Sequence, residues 1–211
     1  MIKEDSWYTR VTWSEADSRE FFAKLSKCGS DFNKAECLRI QANYIADKYP
    51  MDAKKLLAIL MTEYPQAKEM AHSFLLMAEI ECLQENDNKA LAYFRKSIEC
   101  QRDVPNSQND GHLKYAFFIA SRGKYEFYDD VLETLSEFHH LDVYPFDNYI
   151  SFGCRALLLM EKGKLEEARE SAQKALDYTT PDESPMSYGR LLNMVNDDNW
   201  FSQRLEEIGR S

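Results

Sequence analysis

The chain is poor in the residues that punctuate turn-rich folds: its 211 residues include only seven Gly and six Pro. An all-β domain, with its frequent tight turns, draws on more of both. No stretch approaches the roughly 18 consecutive apolar residues that a membrane helix requires. The N-terminus, MIKEDSWYTRVTW, has early acidic residues and no apolar segment behind a basic start, so it does not read as a secretory signal. Cysteine is odd in number and scattered, at Cys28, Cys37, Cys82, Cys100 and Cys154. Without C-x-x-C spacing these suggest neither a zinc knuckle nor a redox pair, and a reducing, cytoplasmic location is expected.

Catalytic signatures are missing as well. The chain has no G-x-S-x-G, no G-x-x-x-x-G-K-[ST] and no G-x-G-x-x-G. Its histidines, His72, His112, His139 and His140, include no H-x-x-x-H pair. On a helix, His139 and His140 point about 100° apart, which suits a polar helix end better than a metal site. The acidic pairs Glu166-Glu167, Asp197-Asp198 and Glu206-Glu207 flank basic residues at helical spacing, as solvated faces do. No catalytic residue, metal or cofactor is expected, and the chain reads as a non-enzyme.

What is present is a charged, helix-patterned chain, 44% hydrophobic and 29% charged, with a net charge of −10. That surface repels nucleic acid and anionic lipid and attracts basic partners. Its length suits a single domain spanning 1–211.

Residues 1–13 lack periodicity and read as an extended arm laying its aromatics on the first helices. Ser14 can cap a helix carrying Phe21, Phe22 and Leu25, which Gly29-Ser30 ends. From there to Pro181 apolar residues recur at i, i+3, i+4, i+7 in pairs of short helices. The first pair runs from about Lys34 to Pro65, broken at Tyr49-Pro50. The second runs from about Ala71 to Arg102, turning at QENDN. The third covers about 109–142, turning at Arg122-Gly123. The fourth, Tyr149–Pro181, is the clearest, two helices joined at Gly163 with small residues where they would touch. DVPNSQNDG (103–111) and DESP are loops. Helices near Pro185–Val195 and Asp198–Ile208 are expected to close the C-terminal end.

The pairs start near 34, 71, 109 and 149, a period of 37 to 40 that suggests stacked repeats. In the fourth, Phe152, Arg155, Ala156, Leu159, Ala168, Ala172 and Ala175 stand at the marker positions, with Pro181 one place late. In the second these are Phe74, Met77, Ala78, Glu81, Ala90 and Phe94; in the first, Cys37, Ile40, Gln41, Tyr44, Ala53, Leu57, Leu60 and Pro65. The units resemble tetratricopeptide repeats (TPRs), degenerate ones, over about 150 residues. The third departs, with Phe117 and Tyr128 read at places where the family has small residues.

The resemblance implies an all-α fold: a short right-handed α-solenoid of four antiparallel hairpins (34–181), an N-terminal arm and capping helix (1–33) and C-terminal capping helices (182–211). It also implies a concave groove lined by first helices. By register the groove positions are Leu38, Ala42 and Ile45; His72, Leu75, Glu79 and Leu83; Lys114, Phe118, Ser121 and Arg122; and Gly153, Leu157 and Met160. Of these His72, Leu75, Glu79, Lys114, Phe118, Arg122, Leu157 and Met160 are the expected partner-binding residues. Only Lys114 and Arg122 resemble the family's carboxylate clamp, and no Asn accompanies them, so a chaperone-tail clamp is not expected. The expected partner is a protein or peptide, with neither nucleic acid nor membrane. An immunity-type inhibitor of a basic toxin is the alternative, and a structural subunit held by Trp7, Trp13 or Trp200 a third reading. The arm or the C-terminal helices could also plug the groove themselves.

Overall fold

The computed structural model describes residues 7–65, 68–104, 108–178 and 200–210, and among these every regular element is helical. The expected helix near Pro185–Val195, the DESP loop and Pro181 lie outside the described residues. The helices gather into two compact units, Met1–Gly111 and His112–Ser211, both inside the span read above as one repeat domain.

Unit 1 begins with an arm and α1 (Glu15–Leu25). Ser14 caps α1 through a reciprocal pair: its hydroxyl accepts from Asp17 N–H at 3.1 Å, and its own N–H donates to Asp17 Oδ2 at 2.8 Å. Trp7 and Trp13 both pack against the fully buried ring of Phe21, at 5.3 and 5.5 Å. The arm is also tied to α2 (Asp31–Ile45). Gln41, buried in α2, accepts from Arg10 N–H at 3.2 Å and donates to Arg10 C=O at 2.8 Å. A polar residue is therefore tolerated where the repeat pattern places a small one, because both ends of its amide are satisfied.

Helix α3 (Pro50–Glu63) packs on α2, with Pro50 in its first turn, where a missing N–H is harmless. Helices α4 (Met70–Leu83) and α5 (Asp87–Asp103) form the second hairpin, pinned by Ser97 Oγ donating to Ala71 C=O at 2.8 Å. One buried charge pair crosses from α3 to α4. Lys54 Nζ lies 2.7 Å from Glu81 Oε1, whose other oxygen accepts from Asn86 at 2.9 Å.

Unit 2 contains α6 (Gly111–Arg122), a 3₁₀ turn (Tyr125–Phe127), α7 (Tyr128–Glu137), a second 3₁₀ turn (His139–Leu141), α8 (Pro145–Glu161), α9 (Leu165–Asp177) and α10 (Trp200–Arg210). Helices α8 and α9 are the fourth hairpin, and α10 packs along both. A helix expected over Asp198–Ile208 spans Trp200–Arg210.

Three hairpins turn in the same way. Glu85, Gly123 and Gly163 adopt left-handed φ of 57°, 59° and 73°. The following residues, Asn86, Lys124 and Lys164, have φ between −91° and −86° and ψ between 61° and 77°. Their N–H groups donate back to Glu81, Ile119 and Leu159 C=O at 2.9, 3.2 and 3.0 Å. This is the six-to-one bond of a Schellman ending, which satisfies a carbonyl the helix leaves open. The turns recur after 38 and 40 residues, from 85 to 123 to 163.

Side chains follow the same register. Ala78, Ala116 and Ala156, seven places before the turn residue, are all fully buried, as are Ala90 and Ala168 five places after it. Lys96 and Lys174, eleven places after it, lie over Phe74 and Phe152, eleven before it, at 5.6 and 5.7 Å.

The third hairpin departs from this register: His112 and Thr134 stand eleven places before and after Gly123, where the other two have Phe and Lys. Five places after Gly123 stands Tyr128 instead of alanine, and the first turn there is a 3₁₀ turn. The larger side chain does not fit where helices cross closely, so the second helix enters differently. The expectation that Phe117 takes the other small position is corrected. Ala116 holds it, and Phe117 turns its ring to Phe201 of α10, 5.4 Å away.

Of the three turn residues, only Glu85 carries a side chain in the left-handed region, which L-residues adopt at a cost. Glu85→Gly is expected to stabilise the protein by about 0.5–1 kcal/mol, read as a higher melting temperature. Gly163→Val is expected to lower it.

Candidate functional site

The turn alignment shifts the third hairpin's register by one residue. In line with Leu75 and Glu79 of the second hairpin, and Gly153 and Leu157 of the fourth, stand Leu113 and Phe117 rather than Lys114 and Phe118. Within unit 1, His72 is half-buried while Leu75 and Glu79 are buried. Within unit 2, Lys114, Phe118 and Leu157 are buried, Met160 is half-buried and Arg122 is exposed at the end of α6. Phe118 is covered completely, with Lys124 Nζ 5.8 Å from its ring centre. A Phe118→Ala substitution therefore reports on the core, not on a binding surface.

In unit 2 the face of α8 that carries Gly153, Leu157 and Met160 is met by α10. A Cβ on Gly153 would stand 2.5 Å from Phe201 Cζ and 3.1 Å from Leu205 Cδ1, so glycine is what allows α10 to lie this close. Phe201 also packs on Tyr149 at 5.4 Å.

Beyond this contact the helices part around a cleft of about 180 Å³. Leu157 and Met160, two of the residues singled out by register, lie in its lining. The third-hairpin turn adds Gly123, Tyr125 and Tyr128, and α10 adds Trp200, Arg204 and Ile208. Trp200 keeps 41% of its surface exposed and Tyr125 keeps 64%.

Polar groups gather at the rim. Tyr125 Oη donates to Glu161 Oε2 at 3.2 Å, and this bond holds the phenol's pKa above its ordinary value. Burial does the same for Tyr128, whose ring lies 5.0 Å from that of Tyr125. Arg204 bonds Glu207 at 2.8 Å and reaches Glu161 only at 4.0 Å. Repeat register could not have found Tyr125, Glu161 or Arg204. The available signal was the spacing of Trp200, Arg204 and Ile208, which puts them on one helical face.

A second polar cluster sits under the start of α8. Asp142 is buried, with its oxygens 2.8 Å from His112 Nε2 and 3.2 Å from His139 Nδ1. Asp147 lies nearby and accepts from Tyr144 N–H at 2.9 Å. Burial, more than its negative neighbour Asp142, raises the Asp147 pKa above 3.8. A carboxyl that holds its proton more tightly when folded contributes stability at low pH and loses it as pH rises through the folded value. Asp147→Asn keeps an acceptor for Tyr144. It is expected to melt above the parent protein at neutral pH, with the difference closing as pH falls to the ordinary aspartate range. Melting curves across pH check this. Among the described residues no three His, Cys, Asp or Glu side chains come close enough to hold a metal ion.

No family model, no curated protein and no solved structure matches this chain. Among the described residues no helix is long and apolar enough to cross a membrane.

Proposed function

We propose that the chain is a non-enzymatic interaction module, a short right-handed solenoid of TPR-like hairpins, and that it holds a segment of another protein at the cleft of unit 2. The observation that carries this reading is the cleft itself. Half-exposed Trp200 and exposed Tyr125 stand beside Met160, with a carboxylate and a guanidinium at the rim. Aromatic residues in a concave site are the usual anchors of protein recognition. Recurrent hairpin turns support the repeat resemblance. None of the five cysteines is in a disulfide, which supports a reducing, cytoplasmic setting.

The test is capture from extract of the source cells by tagged protein at low and high salt. A protein retained in both washes, and lost with Met160→Lys, is the expected result. Retention by that variant would overturn the reading. A second reading, an inhibitor of a basic protein, is favoured by the charge of unit 2, where 11 Lys and Arg face 18 Asp and Glu. Glu126, Asp129, Glu133 and Glu137 are all exposed along the third hairpin. That reading expects one basic partner, released as salt rises.

A further inference from the structure

The chemistry of the cleft is more specific than its shape. Three aromatic rings, Tyr125, Tyr128 and Trp200, share its wall with one carboxylate, Glu161. Aromatic faces attract cations at about 6 Å or less, and a carboxylate beside them fixes the charge. Elsewhere the same chain pairs cations with rings at 5.6 to 5.8 Å, through Lys96, Lys124 and Lys174. In the cleft the rings and the carboxylate are present, and the cation in its lining is shared: Arg204 bonds Glu207 at 2.8 Å and pairs with Glu161 only at 4.0 Å.

We propose that this cleft receives the cationic side chain of an arginine or lysine from the bound protein, with Glu161 as its counter-ion. The inference rests on the protein-binding reading above and names the chemistry of what is bound. A volume of about 180 Å³ suits the end of one long side chain, and the acidic excess of unit 2 favours a positive arrival. Arg204 then acts as a competitor that holds part of the field of Glu161 until the partner displaces it.

The probe is acetyl-arginine amide, with acetyl-citrulline amide as its neutral isostere, followed by NMR of the Trp200 indole N–H assigned through Trp200→Phe. Arginine amide is expected to shift this signal with a dissociation constant in the millimolar range, normal for one small group, while citrulline amide leaves it in place. Glu161 is exposed, so Glu161→Gln leaves folding intact, and it is expected to weaken the probe about fivefold or more. Arg204→Gln keeps the aliphatic stem and removes the competing charge, so it is expected to tighten the probe about twofold. Equal shifts from the two amides, no shift from either, or unchanged affinity in Glu161→Gln would each overturn the proposal. Extract capture separates the two levels. Loss with Met160→Lys but not with Glu161→Gln keeps the protein-binding reading and rejects the cation.

Discussion

Phe201→Ala is expected to destabilise the protein by about 3–5 kcal/mol, the range for deleting a buried phenylalanine. Its ring is fully buried between Phe117 of α6 and Tyr149 of α8, and it rests on the bare backbone of Gly153. Deleting it empties the contact that holds α10 to the unit. Gly153→Ala attacks the same contact from the other side, since its methyl would stand 2.5 Å from Phe201 Cζ. Neither partner yields freely, so about 1–3 kcal/mol of overpacking is expected. Combined, the two changes should cost less than their sum, because the new methyl occupies space the ring has left. Urea unfolding of the four proteins measures the cycle; additive effects would mean that α10 does not dock here.

The second large effect is expected at Lys54. Its ammonium, with side-chain exposure of 16%, faces Glu81, whose side chain is 3% exposed. Lys54→Met leaves that carboxylate with Asn86 alone, and stranding a buried charge costs about 3–5 kcal/mol. The pair itself contributes little, because desolvation offsets much of its attraction. Lys54→Met with Glu81→Leu is therefore expected to recover most of the loss. A double variant as unstable as Lys54→Met would show that the pair, not the stranded charge, sets the energy.

Local chemistry was the legible part of this sequence. The Ser14 cap, the Tyr49-Pro50 break and the left-handed turns at Gly123 and Gly163 each declare themselves within a few residues. Glu85 did not, because a non-glycine gives no sign that it will adopt positive φ. The third hairpin falls out of register if Phe117, rather than its neighbour Ala116, is given the small position. A Phe next to an Ala does not reveal which one faces the crossing, and what decided it was the ring of Phe201, 84 residues further on. The same remoteness hid the cleft, whose walls come from the third turn, the end of α8 and α10. Leu157 and Met160 could be named by register, but Glu161 and Arg204 become neighbours only through packing.

Arrival at such a late helix has a consequence during synthesis. Chains grow at roughly 5–20 residues per second, so α10 emerges about 80 residues, or roughly 4–16 s, after α6. Throughout that interval Phe117, and Tyr149 once it has been made, have no Phe201 to cover them, and the nascent second unit presents an uncovered aromatic face. Unit 1 contains all of its own helices by Gly111 and has no such delay. The hazard of misassociation in the cell is thus concentrated in the time before Trp200–Arg210 is made, and a chaperone that binds this chain would be expected to hold it there and let go once α10 docks.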